Sequence, residues 1–189
     1  MNRYVYWASA LVAGAALAAI SIAWAMTALQ GEYRSGPWYT SAVFGSVDAG
    51  MYTRARVALF GLLALDKRET MYYTANTDSE GGALSGDCTY RIEGGDLAAH
   101  WWSITAYDAA SFLIENEQRV YSFSQTTTER EPDGSFVIRV SADPQEKNWL
   151  PVKRGESFDM TARFYNPEAS IYADPSAAVL PVIVKEGCK

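Results

Sequence analysis

Cysteine and histidine are scarce in this chain. Its 189 residues include two cysteines and one histidine, His100. A Cys/His zinc cluster needs more ligands than that, and no C-x-x-C pair is present, so a structural zinc site is excluded. A G-x-S-x-G motif is also missing, which leaves His100 without the serine or cysteine nucleophile of a hydrolytic triad. Basic residues are outnumbered, with 16 Lys and Arg against 22 Asp and Glu and a net charge of −6. A nucleic-acid partner needs a basic surface, so none is expected. There is no low-complexity tract, no internal repeat and no cofactor motif. Charge is absent altogether from residues 4 to 29.

That uncharged stretch, "YVYWASALVAGAALAAISIAWAMTAL", would reach about 39 Å as a helix, more than the ~30 Å hydrocarbon core of a bilayer. Tyr4, Tyr6 and Trp7 mark one end and Trp24 the other, as expected of residues that favour the membrane interface. Arg3 and the amino terminus are the only positive charges before it, which points to a cytoplasmic N-terminus. A cleaved signal peptide is the competing reading, since "AWA" at 23–25 fits a small-x-small cleavage site. The apolar run exceeds the usual ~7–15-residue signal core, which favours a retained anchor. Either way the domain crosses the membrane. The expected location is the inner membrane, single pass, with the soluble domain on the periplasmic side and residues 4–29 in the lipid bilayer.

What is abundant is aromatic. Twelve Tyr and six Trp suit a packed β-rich core and argue against disorder. The chain divides into an anchor (1–30), a glycine- and aromatic-punctuated linker lying on the domain (31–46), and a soluble domain (47–189). From Asp48 to Leu65, Met51, Ala55, Ala58, Leu59, Leu62 and Leu63 recur at helical spacing, with Asp48 as N-cap; Arg54 and Arg56 within it and its short apolar run argue against a second membrane span. After Lys67 the pattern is β, with strands near 70–76, 87–93, 100–107, 111–115, 119–125, 135–141, 157–165 and 179–184. Asp133-Gly134 is a tight-turn signal. About eight short strands after one amphipathic helix predict a mainly β fold, an antiparallel sandwich or jelly-roll-like domain behind a single transmembrane helix.

The two cysteines, Cys88 in the strand "DCTYRIE" and Cys188 at the penultimate position, suit a bridge in an oxidising compartment; two unrelated thiols are the alternative. A bridge would close a loop of about 100 residues, worth up to ~4–5 kcal/mol in the chain-entropy model.

The stretch "AHWWSITAYDAASF" (99–112) reads as a strand in which neighbours point to opposite faces. Trp102 shares parity with Ile104 and Ala106 and is expected between the sheets. Trp101 then shares a face with Ser103, Thr105 and Tyr107, beside the helix or a groove. "NWLP" and "ARFYNP" carry Asn148, Trp149, Arg163 and Tyr165, a mixture suited to a small polar ligand or a sugar face, and equally to a turn and an outward strand face. The ligand- or partner-binding candidates are therefore Trp101, Tyr107, Asn148, Trp149, Arg163 and Tyr165.

Catalytic candidates are weaker. Glu69 and Asp78 could form a glycosidase-type carboxylate pair, which requires a separation of about 5–9 Å. His100 could act as a base but is more simply a surface residue at a strand start. The segment "NTDSEGGALSGD" partly fits a calcium loop through Asn76, Asp78, Glu80 and Asp87, although its flanks read as strands rather than helices. A polar hairpin loop explains it as well.

Several phrases occur in order: "YTRARVALFGLLAL", "ETMYYTANTDSEGGALSGDCTYRI", "WWSITAYD", "PDGSF", "NWLP" and "ARFYNP". In these the chain resembles the bacterial "domain of unknown function 1214" family over about residues 36–185. The resemblance implies a β-rich, jelly-roll-like fold in an envelope protein, and no established activity.

Two function classes follow. One is a membrane-anchored extracytoplasmic binding or accessory subunit that contacts a membrane-protein partner or a small polar ligand through an aromatic-rich face. The other is a small envelope enzyme, such as a carboxylate-dependent hydrolase of a sugar-like substrate.

Overall fold

From Thr70 onward, alternation of apolar and polar side chains determines what is inside. The computed structural model describes residues 3–28, 33–43, 45–59 and 65–189. Helix α1 covers Arg3–Ala28 and α2 covers Met51–Leu59. The strands are β1 (Tyr33–Ser35), β2 (Trp38–Thr40), β3 (Thr70–Ala75), β4 (Cys88–Gly94), β5 (Ala99–Asp108) and β6 (Ser122–Ser124). They continue with β7 (Phe136–Ser141), β8 (Trp149–Pro151), β9 (Phe158–Pro167) and β10 (Val182–Cys188), the short helix α3 (Ala169–Ala173) preceding β10.

The strands form two sheets, one of six in the order β1-β2-β3-β9-β5-β6 and one of four in the order β10-β4-β7-β8. All pairings are antiparallel except β7 with β8. The inner faces pack as a sandwich. Trp102 of β5 stacks on Phe136 of β7 with ring centroids 4.9 Å apart, and Phe158 of β9 meets Tyr90 of β4 edge-on at 5.8 Å. Ile92, Ile104, Ile138, Val140, Met160, Ala162 and Phe164 complete a core from which water is excluded. Tyr73 lies against Phe164, and its hydroxyl donates to Pro175 O at 2.9 Å; burial pushes its pKa upward.

Cys88 and Cys188 are disulfide-bonded. They stand opposite one another in the β4–β10 ladder, so the bond fastens the edge strand of the smaller sheet at its C-terminal end. The Asp133-Gly134 turn is also formed. Asp133 Oδ1 accepts the Ser135 amide and Gly134 takes a φ of 86°, a conformation open to glycine at no steric cost.

Several local expectations shift. Residues 33–40, within the expected linker, form the β1–β2 hairpin, and Trp38 is buried with its indole N–H donating to Pro181 O at 2.7 Å. Residues 111–115 are not a strand. Asp108 Oδ1 caps a turn by accepting the Ala110 and Phe112 amides, leaving only an isolated bridge between Tyr107 and Leu113. The C-terminal strand runs later than expected, and "NWLP" forms the added strand β8.

Helix α2 begins at Met51, so Asp48 precedes it and does not cap it. Of its apolar stripe, Met51, Ala55 and Ala58 are exposed, while Thr53 is buried. Leu62 and Leu63 lie outside the described residues. Helix α1 has a mean hydropathy of 1.9 over Arg3–Trp24, long and apolar enough to cross a membrane, and Tyr4, Trp7, Leu11, Leu17 and Trp24 all face outward.

Because Trp102 is fully buried and stacked between the sheets, Trp102→Ala is expected to cost about 3–5 kcal/mol, the usual range for a large buried aromatic. Trp101→Ala, on the outer face, is expected to cost less. Thermal melting of the two variants measures the difference, and equal losses would contradict the assignment of faces.

Candidate functional site

The outer face of the six-stranded sheet carries the side chains of opposite parity. Strand β9 lies between β3 and β5, and the register sets Arg163 between Tyr72 and Ser103, Tyr165 between Thr70 and Trp101, and Thr161 between Thr74 and Thr105. Asp159 lies opposite Tyr107. Three strands distant in sequence thus build one strip.

Arg163 is its centre. One guanidinium N–H donates to Thr105 Oγ1 at 3.1 Å and another to the Tyr107 hydroxyl. The Tyr107 and Tyr72 rings flank the guanidinium at 5.3 and 5.9 Å, within cation–π range on both sides. At one end Trp101 and Tyr165 pack with ring centroids 5.0 Å apart. Ser103, Thr105 and Thr161 are buried beneath these larger side chains, whereas Trp101, Tyr107, Arg163 and Tyr165 remain half-buried. The strip therefore offers a stacking surface, a fixed cation with donors to spare and a carboxylate.

That carboxylate is Asp159. Burial, helped by the nearby charge of Asp108 and opposed by Arg163, raises its pKa to about 6. A carboxyl that titrates near neutral pH can donate or accept a proton, or accept hydrogen bonds from a ligand.

The sequence profile described as "Protein of unknown function (DUF1214)" matches residues 69–169. The chain belongs to the DUF1214 family. A crystal structure of the VPA0106 protein from Vibrio parahaemolyticus is similar to it, with 24% identity and a TM-score of 0.62 over 74% of this chain. The match spans 36% of the Vibrio protein, so this chain corresponds to about a third of that protein's length. A crystal structure of an uncharacterized protein from Burkholderia cenocepacia aligns with 87% of this chain and 39% of its own, at 15% identity and a TM-score of 0.46. No curated protein matches the chain. The Vibrio likeness shows a shared fold.

Within the DUF1214 segment the residues expected to bind divide into two groups. Trp101, Tyr107, Arg163 and Tyr165 converge on the strip. Asn148 and Trp149 are in the other sheet and are occupied by the backbone. Asn148 accepts the Glu129 amide and donates to Glu129 O and Val137 O, and Trp149 donates to Ser141 O at 2.9 Å. Tyr72 and Asp159 complete the strip without having been singled out from sequence.

The catalytic candidates are dispersed. His100 and Glu69 are exposed at strand starts. Asp78 is buried and structural: Oδ1 accepts the Glu80 and Gly82 amides, and Oδ2 is 3.5 Å from Lys185 Nζ. Asn76 and Glu80 are exposed on the loop, and Asp87 accepts the Gly155 amide. Among the described residues no group of three or more His, Cys, Asp and Glu could hold a metal ion.

Unfolded aspartate titrates near ~3.9, and Asp159 in the folded domain titrates near 6. The folded state therefore holds more protons between about pH 4 and pH 6, and the stability tied to protonated Asp159 is lost as pH rises through that window. The full difference is at most ~3 kcal/mol. Asp159→Asn is expected to melt above the wild type at pH 7.5, with the gap closing toward pH 4. A gap that does not change with pH would contradict the assignment.

Proposed function

We propose that this protein is a membrane-anchored extracytoplasmic binding module that captures a small polar ligand with a sugar-like face on the outer surface of its six-stranded sheet. The observation that carries the reading is the fixed Arg163 between two tyrosine rings, with the Trp101–Tyr165 pair on one side and Asp159 on the other. A ring stacked on Trp101 would bring its hydroxyl or carboxylate substituents to Arg163 and Asp159. Supporting the location are the apolar helix α1, the charge of Arg3 at its first residue, and a disulfide that suits an oxidising compartment. The periplasmic side of the inner membrane, and contact with a membrane-protein partner, belong to the same proposal.

A second reading has one observation in its favour. The Asp108 charge bears on Asp159, which titrates near 6. A carboxyl with a raised pKa beside a second carboxyl is an arrangement that glycoside hydrolysis uses. In that case Asp159, rather than Glu69 or Asp78, would be the acid.

NMR titration of the full-length protein in detergent with neutral monosaccharides and uronic acids tests the first reading. Shifts are expected at the Trp101 indole and Arg163 Nε, and Trp101→Ala and Arg163→Ala are each expected to weaken capture about tenfold or more. Hydrolysis of nitrophenyl glycosides that is abolished by Asp159→Asn would favour the enzyme. Absence of both shifts and turnover would overturn the assignment of the strip.

A further inference from the structure

Helix α2 presents its apolar side outward. Met51 is 79% and Tyr52 48% exposed, Val47 just ahead is 87% exposed, and Ala55 and Ala58 are exposed with them. Among the described side chains of the helix, the face turned inward carries Thr53, 7% exposed, and the half-buried Val57 one turn on. A surface helix of a water-soluble domain shows the reverse arrangement, with its apolar stripe on the core. The segment before the helix is held in place by Arg54, whose Nε and Nη2 donate to Ala49 O at 2.9 Å and Val47 O at 2.7 Å. Val47 is therefore kept beside the stripe.

The position of this patch in the chain identifies what covers it. Helix α1 ends at Ala28 and β1 begins at Tyr33, and the chain between them can span at most about 18 Å even when fully extended. Strand β1 is the edge of the six-stranded sheet, β2 lies next to it, and α2 follows β2 after residues 41–50. Helices α1 and α2 also approach each other. A membrane that holds α1 must therefore lie close to α2.

We propose that Val47 and α2 form a second, interfacial membrane contact: α2 lies on the bilayer surface, with Met51, Tyr52, Ala55 and Ala58 at the boundary between headgroups and acyl chains. The occupant of the patch is lipid. Tyrosine favours that depth, and the exposed Arg54 is positioned to reach lipid phosphates with its remaining donors. The proposal rests on α1 being retained as the anchor. It adds that the domain is held in a fixed orientation, with the β1 edge toward the membrane, rather than swinging on a tether.

Site-directed fluorescence in phosphatidylcholine vesicles tests it with the full chain. The native cysteines are paired, so single cysteines introduced as V47C, M51C, F112C and L11C can be labelled selectively with the environment-sensitive dye NBD. Phe112 is exposed beside β6, at the opposite edge of the sheet from β1, and reports water. Labels at 47 and 51 are expected to be blue-shifted and to lose about half their emission or more to shallow spin-labelled lipid, while that at 112 is unchanged. The label at 11 reports the anchor and should be quenched by deep spin-labelled lipid. Quenching at 11 with water-like emission at 47 and 51 would overturn the interfacial contact and leave the anchor intact. A blue shift at 51 without lipid quenching would mean that protein covers the patch, a second copy or another chain, and would also overturn it. No quenching at 11 would overturn the anchor and the proposal built on it.

Discussion

The pairing of β5 with β9 is the constraint on which the rest of the structure depends. The ladder runs from Ala99 opposite Pro167 to Asp108 opposite Phe158, and β3 continues it on the other side of β9. Side chains on a strand alternate, so this one register assigns each residue to a face. Trp102, Ile104, Ala106, Met160, Ala162 and Phe164 are sent inward, and Trp101, Tyr107, Asp159, Arg163 and Tyr165 outward. A slip of one residue would exchange the two sets, burying an arginine and an aspartate and exposing the core aromatics. Burial of unpaired charge makes that slip prohibitive. The core and the candidate site are therefore two consequences of a single hydrogen-bonded register.

The same register explains why the strip differs from an ordinary solvated sheet face. Small hydroxyl residues at Ser103, Thr105 and Thr161 leave room for Arg163 and the rings of Tyr72 and Tyr107 to fold across them. The guanidinium is thereby held in place within the free protein, which would lower the entropic cost of the proposed capture. Asp159 sits at the end of this layer, deep enough for burial to hold its proton to about pH 6. Fixed cation, stacking surface and titratable carboxyl are all placed by the three central strands, within the segment that defines the family.

Much of this was legible in the sequence, and the exceptions have physical causes. Alternation through 101–107 and 158–165 assigned Trp102 to the core and Trp101 to the outer face, because period two is a local property. The Asp133-Gly134 turn was equally local, and the disulfide was legible despite a separation of 100 residues because the chain has only two cysteines to pair. Tyr72 was missed because its place in the strip depends on β3 pairing with β9, which no short window contains; Asp159 shares a face with Arg163 by alternation, but its burial, which raises its pKa, is set by the packed sheet and not by the local pattern. Asn148 and Trp149 looked like site residues by chemistry, yet their polar atoms are taken by nearby backbone, a fate that residue type cannot reveal. The β1–β2 hairpin has strands of three residues, too short to show a period. Helical spacing in α2 picked out Met51, Ala55 and Ala58 as one apolar stripe, but periodicity does not say whether such a stripe is buried or exposed.

The most direct measurement of the β5–β9 register is fluorine NMR of the protein labelled with 5-fluorotryptophan, with Trp101 and Trp102 assigned by single replacement with phenylalanine. The Trp102 resonance should be insensitive to exchange of H2O for D2O and to a soluble nitroxide, as a ring stacked between two sheets requires. The Trp101 resonance should respond to both. A responsive Trp102 beside a silent Trp101 would mean that the register is shifted by one residue, and the proposed site with it.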